Sequence, residues 1–284
     1  MNEASSQPLP QLRDVPGPVA YGGDPQRFRE LLWQFSLTEF KAQYARTSLG
    51  FLWSLIRPLF FFGVIFLVLR EILRFGADIP DYGLILILSL ILFTYFQDAT
   101  SRSVRAAASR EAVIRSTEFP RVIIPLSVSL TAAFTLILNL LSVLPLAIAY
   151  GLRPHLGWLW FGFAILALIV LTTAVCLLLS ALFVRSADIA QAWGLISRTL
   201  FYASPVLFPI DAVPGSYQEV VAATPLAPIL EQARVWVIDP SAPNGVDEVG
   251  LLFGAIVPLI GFVVLCVAGV RLFAKEAPRV AERL

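Results

Sequence analysis

The chain has 284 residues, of which 57% are hydrophobic and only 14% charged, with a formal net charge of +1. Soluble domains carry about a quarter charged residues, so this composition and a mean hydropathy of +0.77 exclude an ordinary soluble domain and describe an integral membrane protein. Cys176 and Cys266 both sit inside apolar runs and His155 is the single histidine, which argues against a disulfide framework and against a His-rich metal site.

Residues 1–26 are polar and Pro/Gly-rich, lack the apolar core of a signal peptide, and are expected to form a disordered cytoplasmic tail. The stretch that organises the rest runs from Phe28 to Pro58, FRELLWQFSLTEFKAQYARTSLGFLWSLIRP. Phe28, Leu31, Leu32 and Phe35 fall at helical spacing on one face; Trp33, Leu37, Phe40 and Tyr44 fall on roughly the opposite face. Ser36-Leu37-Thr38-Glu39 has the form of a capping box. Two arrangements follow: one helix with two apolar faces, or a break near Ser36 where a second helix starts. Arg29, Glu30, Glu39, Lys41 and Arg46 forbid deep burial in hydrocarbon. Residues 27–47 are therefore expected as an amphipathic interface helix, with Trp33, Phe40 and Tyr44 in the headgroup zone.

Six apolar segments follow, at about Leu49–Leu69, Tyr82–Phe96, Val122–Tyr150, Leu156–Val184, Ile189–Phe208 and Val249–Phe273. The second is short, and Asn139 and Pro145 are expected to interrupt the third. The fold class is an all-α membrane protein with six transmembrane helices. Lys and Arg crowd alternate flanks (among them Arg27, Arg29, Lys41, Arg46, Arg57; Arg102, Arg105, Arg110, Arg115, Arg121; Arg185; Arg271, Lys275), whereas the other flanks hold Arg70, Arg74, Arg153 and Arg234. That bias of about four to one places both termini in the cytoplasm, in accord with an even number of spans.

The inner connection at 98–121 is Ala-rich with spaced arginines and should be helical to about Arg115, before Ser116 and Thr117 break it. It would lie across the inner face and offer Glu111, Arg115 and Glu118 to a partner. The outer connection, at 209–249, has apolar residues at helical spacing. Val220 and Val221, then Leu226, Ile229, Leu230 and Ala233, predict two short helices broken at Thr224-Pro225, re-entrant or lying on the outer surface. Asp211, Glu219, Glu231, Asp239, Asp247 and Glu248 stand there against Arg234.

The chain has no P-loop, no His-Glu-x-x-His and no Gly-x-Ser-x-Gly. It cannot hydrolyse ATP alone. Asp and Glu lie outside the apolar runs or at their edges, as Asp98 and Asp188 do, which argues against ion-coupled transport. The polar side chains expected to be buried are Asn139, Ser180, Ser197 and Arg198.

Four separated motifs carry a family resemblance. Tyr44, Leu49-Gly50, Trp53 and Pro58-Leu59 follow the charged aromatic segment; Phe119-Pro120-Arg121 and Ile124-Pro125-Leu126 open the third span; Ser204 to Pro209 closes the fifth; Val213-Pro214, Thr224-Pro225-Leu226 and a late Arg234 follow. In this order they resemble the type-2 ABC exporter permeases that move polysaccharides. Leu92-Phe93-Thr94-Tyr95-Phe96 departs from the family's Pro-Trp-x-Phe-Phe, and Thr224 stands where Asn is usual.

The resemblance implies a homodimeric permease in a bacterial plasma membrane, with two copies of a separate ABC ATPase beneath it. No cofactor is expected in this chain; ATP and Mg would belong to the partner. Membrane lipids and a lipid-linked polysaccharide would be its other partners, and no nucleic acid is implied. ATPase coupling would fall to Glu111, Arg115, Glu118, Phe119 and Arg121. The substrate path would use Phe61, Phe66, Trp193, Phe201 and Tyr202, since sugar C–H faces stack on rings. Arg57 and Arg198 would bind the lipid pyrophosphate, because guanidinium forks match phosphate oxygens. Ser204, Pro214, Thr224 and Arg234 would shape the outer gate. O-antigen, teichoic acid, capsule and galactan all suit the motifs; the N-terminal tail and the Ala/Arg/Val-rich usage would suit a high-GC actinobacterium, for which galactan is the narrower expectation. The alternatives are a type-2 permease for a lipid or drug, and a membrane enzyme acting on lipid-linked sugars.

Overall fold

The computed structural model describes residues 25–45, 50, 52–76, 79–106, 120–153, 155–243 and 245–276. Every regular element among them is helical: α1 (Pro25–Tyr44), α2 (Leu52–Phe66), α3 (Tyr82–Ala106), α4 (Ile123–Ala149), α5 (Gly157–Phe183), α6 (Ile189–Ala203), α7 (Gly215–Ala222), α8 (Ala227–Val237), α9 (Gly245–Leu251) and α10 (Val257–Glu276). A wider π-helical turn, Leu67–Ile72, continues α2; another, Leu252–Ile256, joins α9 to α10.

Among the described residues five stretches are long and apolar enough to cross a bilayer: Leu52–Ile72, Tyr82–Ala106, Ile123–Ala149, Gly157–Phe183 and Gly245–Glu276. The helix expected over Ile189–Phe208 stops at Ala203. Ser204 is extended (φ −108°, ψ 158°), as Pro205 disfavours the helical conformation before it. Its 15 residues rise about 22 Å, short of a hydrocarbon core of about 30 Å. The expected interruptions of α4 are absent, and the helix runs unbroken through Asn139 and Pro145. Asn139 turns its side chain into the space between helices, and a proline in a spanning helix removes one backbone hydrogen bond without ending it. The break at Thr224-Pro225 between two short helices is found as expected, between α7 and α8.

α1 is one continuous helix, and the capping box does not form. Ser36 is fully buried. Its hydroxyl donates to the Leu32 carbonyl at 2.7 Å, and its own carbonyl accepts from the Thr131 hydroxyl of α4 at 3.1 Å. Back-bonding within the turn satisfies the buried hydroxyl, so nothing favours a break. Trp33 and Phe40 both set their rings edge-on to Phe134, at 5.2 and 5.9 Å, which seats α1 along α4.

α3 is the hub. It is apolar around most of its circumference, the signature of a buried helix, and Leu86, Ile87, Leu90, Ile91, Leu92 and Phe93 are fully enclosed. α4, α5, α6 and α8 surround it. α10 runs along α5, where Gly269 meets the backbone of Ala174. α2 lies at the edge: among its described residues only Pro58 is buried, and Phe62 and Ile65 rest against the core.

Polar contacts tie the helices at two poles. At the basic pole Trp193 Nε1 donates to Thr100 Oγ1 (3.2 Å), Ser103 Oγ to the Cys176 carbonyl (3.0 Å), and Arg185 Nε to Glu276 (3.1 Å). At the opposite pole Tyr82 OH donates to the Leu207 carbonyl (2.8 Å) and Trp158 Nε1 to the Val237 carbonyl (3.1 Å). Tyr82→Phe should lower stability by about 1 kcal/mol, read as a lower denaturation midpoint in detergent. An unchanged midpoint would mean that Leu207 is held by packing alone.

Candidate functional site

Near the start of α2 and the end of α3, helices α1 to α4 leave a cleft of about 630 Å³. Helical spacing builds its walls. Trp53, Arg57 and Phe61 recur at i, i+4 and i+8 on α2; Thr94, Asp98 and Arg102 do so on α3; Thr135 and Asn139 share a face of α4; Gln43 closes the α1 side. Two guanidinium groups thus face one carboxylate. Arg102 Nη2 lies 3.8 Å from Asp98 with both side chains near half-exposed, a contact of small energetic weight. Arg57 acts electrostatically on the same carboxylate and forms no hydrogen bond or ion pair among the described residues. Asn139 is 8% exposed, lines the cleft, and its Oδ1 accepts no hydrogen bond from the described residues. This arrangement suits a ligand that is anionic, offers hydroxyl groups and carries apolar surface past Trp53, Phe60 and Phe61.

A second charged cluster sits at the other pole. Arg234 on α8 is 4% exposed and Glu231, one turn earlier, 3% exposed. Arg234 Nη2 contacts Glu231 Oε2 at 3.0 Å and donates to the Pro243 carbonyl at 2.8 Å; Nη1 donates to Asp211 at 3.4 Å. The Ile210 amide donates to Glu231 Oε1 at 3.1 Å. Burial pushes the Glu231 carboxyl up to about 7; Arg234 and the Ile210 amide oppose that rise, and Asp211 and Glu248 add to it. The cluster knots the short 3-10 turn Ile210–Ala212, α8 and the chain before α9 into one unit.

The residues expected from the sequence are distributed as follows. Arg57 and Phe61 line the cleft. Phe66 stacks near Tyr82 at 6.5 Å, and the Arg70 guanidinium lies over the Phe66 ring, 5.6 Å from its centre. Trp193 and Phe201 are buried in the protomer core, Trp193 beside Phe96 (6.1 Å) and Phe201 beside Phe93 (5.3 Å). Tyr202 is exposed. Arg198 was expected to be buried and is exposed. Trp193, Ser197 and Phe201 form the buried stripe of α6, and Arg198 projects about 100° round the helix from Ser197. Ser204 is buried and ends α6; Pro214 precedes α7; the Thr224 hydroxyl donates to the Val221 carbonyl at 3.1 Å, closing α7 rather than opening α8. Arg121 lies in the turn before α4. Glu111, Arg115, Glu118 and Phe119, Arg46, the Tyr44 side chain and residues 1–24 of the tail lie outside the described residues. Arg102 and Gln43 were not among the residues expected at a site. The i, i+4 recurrence of Thr94, Asp98 and Arg102 was the available signal.

A chain of long apolar helices around a hub, with a charged cleft and no nucleotide-binding loop, has the character of a transporter's membrane subunit. Residues 30–238 match the ABC-2 type transporter family, and the chain belongs to it. It is 27% identical over 260 residues to a Klebsiella pneumoniae protein named O-antigen export system permease protein RfbA, covering 90% of this chain and 95% of that one. A second K. pneumoniae protein of the same name is 26% identical over 259 residues, with the same coverage. A Myxococcus xanthus protein, also named O-antigen export system permease protein RfbA, is 27% identical over 187 residues, 66% of this chain and 71% of that one.

Proposed function

We propose that this chain is the transmembrane permease subunit of an ATP-driven exporter of lipid-linked polysaccharide in a bacterial plasma membrane. The observation that carries this reading is similarity along nine-tenths of the chain to permeases named for O-antigen export, within the ABC-2 type family. Two copies form the pathway, and two copies of a separate ATPase supply the energy from ATP and Mg. Galactan is the narrower cargo reading.

α6 serves as part of a sixth span, and both termini are cytoplasmic. Two contacts support the sixth span: Trp193 is tied to Thr100 and Leu207 to Tyr82. The stretch 193–207 therefore travels alongside about 27 Å of α3, most of it as helix and the rest as the extended Ser204–Leu207. Phe61, Phe66 and Tyr202 face the pathway, backed by Trp193 and Phe201. Ser204, Pro214, Thr224 and Arg234 hold its outer mouth. Glu111, Arg115, Glu118, Phe119 and Arg121 meet the ATPase.

The test is ATPase activity of the chain co-purified with the ATPase encoded beside it, with a panel of lipid-linked glycans. Stimulation by a glycan is expected, and its loss in a Glu111→Ala/Arg115→Ala double variant that still co-purifies. Stimulation by a lipid or drug alone would overturn the polysaccharide, and failure to co-purify would overturn the exporter.

A further inference from the structure

The inner cleft combines features that separately are ordinary and together define a ligand. Its two guanidinium groups come from different helices, Arg57 on α2 and Arg102 on α3. Each carries five N–H donors in a planar fork. Among the described residues Arg57 uses none of them, and Arg102 makes only its 3.8 Å approach to Asp98, beyond hydrogen-bond reach. The deep wall is different in kind. Asn139 is more than nine-tenths buried, with an acceptor oxygen that meets no donor, and an unmade hydrogen bond at such depth costs about 1–3 kcal/mol. Gln43 Oε1, on the same cleft, is a second buried acceptor without a partner among the described residues. The lip is apolar: Trp53, Phe60 and Phe61 are exposed on α2.

We propose that this cleft receives the diphosphate head of a lipid-linked sugar, with Arg57 and Arg102 gripping the diphosphate and Asn139 and Asp98 bonding hydroxyls of the first sugar. The export reading supplies the lipid and the sugar; the cleft adds where the head docks and which side chains read it. Each group then has a use. The two forks bind an anion larger than a single phosphate from two sides. The buried amide oxygen and the carboxylate accept O–H donors, which a sugar offers in number and a bare polyprenyl diphosphate does not. The Asp98 carboxylate, unfavourable toward a bare anion, becomes an acceptor for the sugar. The aromatic lip meets the carrier chain where it leaves for the bilayer.

The experiment uses the full chain in phosphatidylcholine nanodiscs. The probes are a synthetic polyprenyl diphosphate bearing one sugar, the same polyprenyl diphosphate without the sugar, inorganic pyrophosphate, and phosphatidylglycerol added to the disc. Binding is followed by thermophoresis. Arg57→Ala/Arg102→Ala should weaken the sugar-bearing probe about 100-fold, about tenfold for each guanidinium–phosphate pair removed. Asn139→Ala should weaken it about fivefold to tenfold and leave the sugar-free probe unchanged, a split that a merely structural role would not produce. Arg153→Ala, in an outer connection, serves as the control and should bind as the wild type does. If the double alanine variant does not remain monodisperse, Arg57→Gln/Arg102→Gln takes its place.

Unchanged binding in either double variant overturns the proposal. Equal affinity for inorganic pyrophosphate, or displacement of the probe by phosphatidylglycerol, also overturns it, in favour of a general anion or headgroup site. A wild-type complex that exports glycan while the chain fails to bind the probe overturns the cleft and leaves export standing. A chain that binds the probe in a complex that exports nothing overturns export and leaves the cleft.

Discussion

Arg234→Ala is expected to destabilise the protein by about 3–5 kcal/mol, because removing one partner of a buried ion pair strands the other charge. Glu231 would keep only the Ile210 amide, and the Pro243 carbonyl would be left without its donor. The effect is read as the shift in a denaturant or thermal transition in detergent, followed by tryptophan fluorescence. Its pH dependence identifies the cause. In the folded protein the Glu231 carboxyl is raised from 4.5 to about 7. Over that interval the folded state holds a proton that the unfolded state has released. The stabilising contribution of this group is therefore complete below about pH 4.5 and lost as pH rises through about 7. Arg234 lowers that pKa, so its removal moves the window upward. Arg234→Ala should cost less at pH 5 than at pH 8, and Glu231→Gln should flatten the wild-type slope between pH 5 and 7. A penalty equal at every pH would show that the effect is one of packing only.

Gly269→Leu should be nearly as damaging. A Cβ at this position would collide with the carbonyl oxygen of Ala174 on α5. The obstacle is backbone, which cannot rotate away as a side chain can, so α10 must move off α5. Overpacking of this kind costs about 1–3 kcal/mol, and more when a whole helix pair shifts. The displacement spreads one turn along, where Phe273 packs with Leu177 and Ala181. It then reaches the end of the helix, where Glu276, itself buried, holds Arg185. Gly162→Leu is the matched control, since a Cβ there meets nothing within 4 Å. The expected result is a large drop in melting temperature and loss of the monodisperse peak for the Gly269 variant, with little change for the Gly162 variant. Equal tolerance of both would mean that α10 is not seated as described.

What could be read from the sequence was whatever short-range chemistry decides. Apolar runs gave the helices, and Thr224-Pro225 gave the break between α7 and α8, since proline restricts its own neighbours. Ser204-Pro205 carried the same signal, and it was overridden by the apolar residues after it, so α6 was expected to be too long. Ser36 misled for a different reason: its hydroxyl caps or back-bonds according to whether α4 covers it, and only tertiary packing decides that. The same holds for Arg198, one residue from the buried Ser197. Glu231 stood in plain view among the six acids of residues 209–249, yet nothing local distinguishes the one that is enclosed beside Arg234. The cleft was half legible. Its arginine on α2 was expected at a phosphate and its asparagine on α4 was expected to be buried, but their meeting required knowing which faces of four helices turn toward one another.

The sparse packing of α2 has a mechanical consequence. Pro58 is its one buried residue among those described, Phe62 and Ile65 only lean on the core, and its C-terminal end is wound as a π-helical turn, whereas α3 opposite is locked into the core. The cleft therefore has one stiff wall and one compliant wall. Swinging α2 outward would break the few contacts that Phe61, Phe62, Ile65 and Phe66 make with the core, and the rest of the resistance would come from the surrounding lipid. Bilayer thickness and acyl-chain order would then set how readily the cleft widens, making the membrane itself a component of the spring.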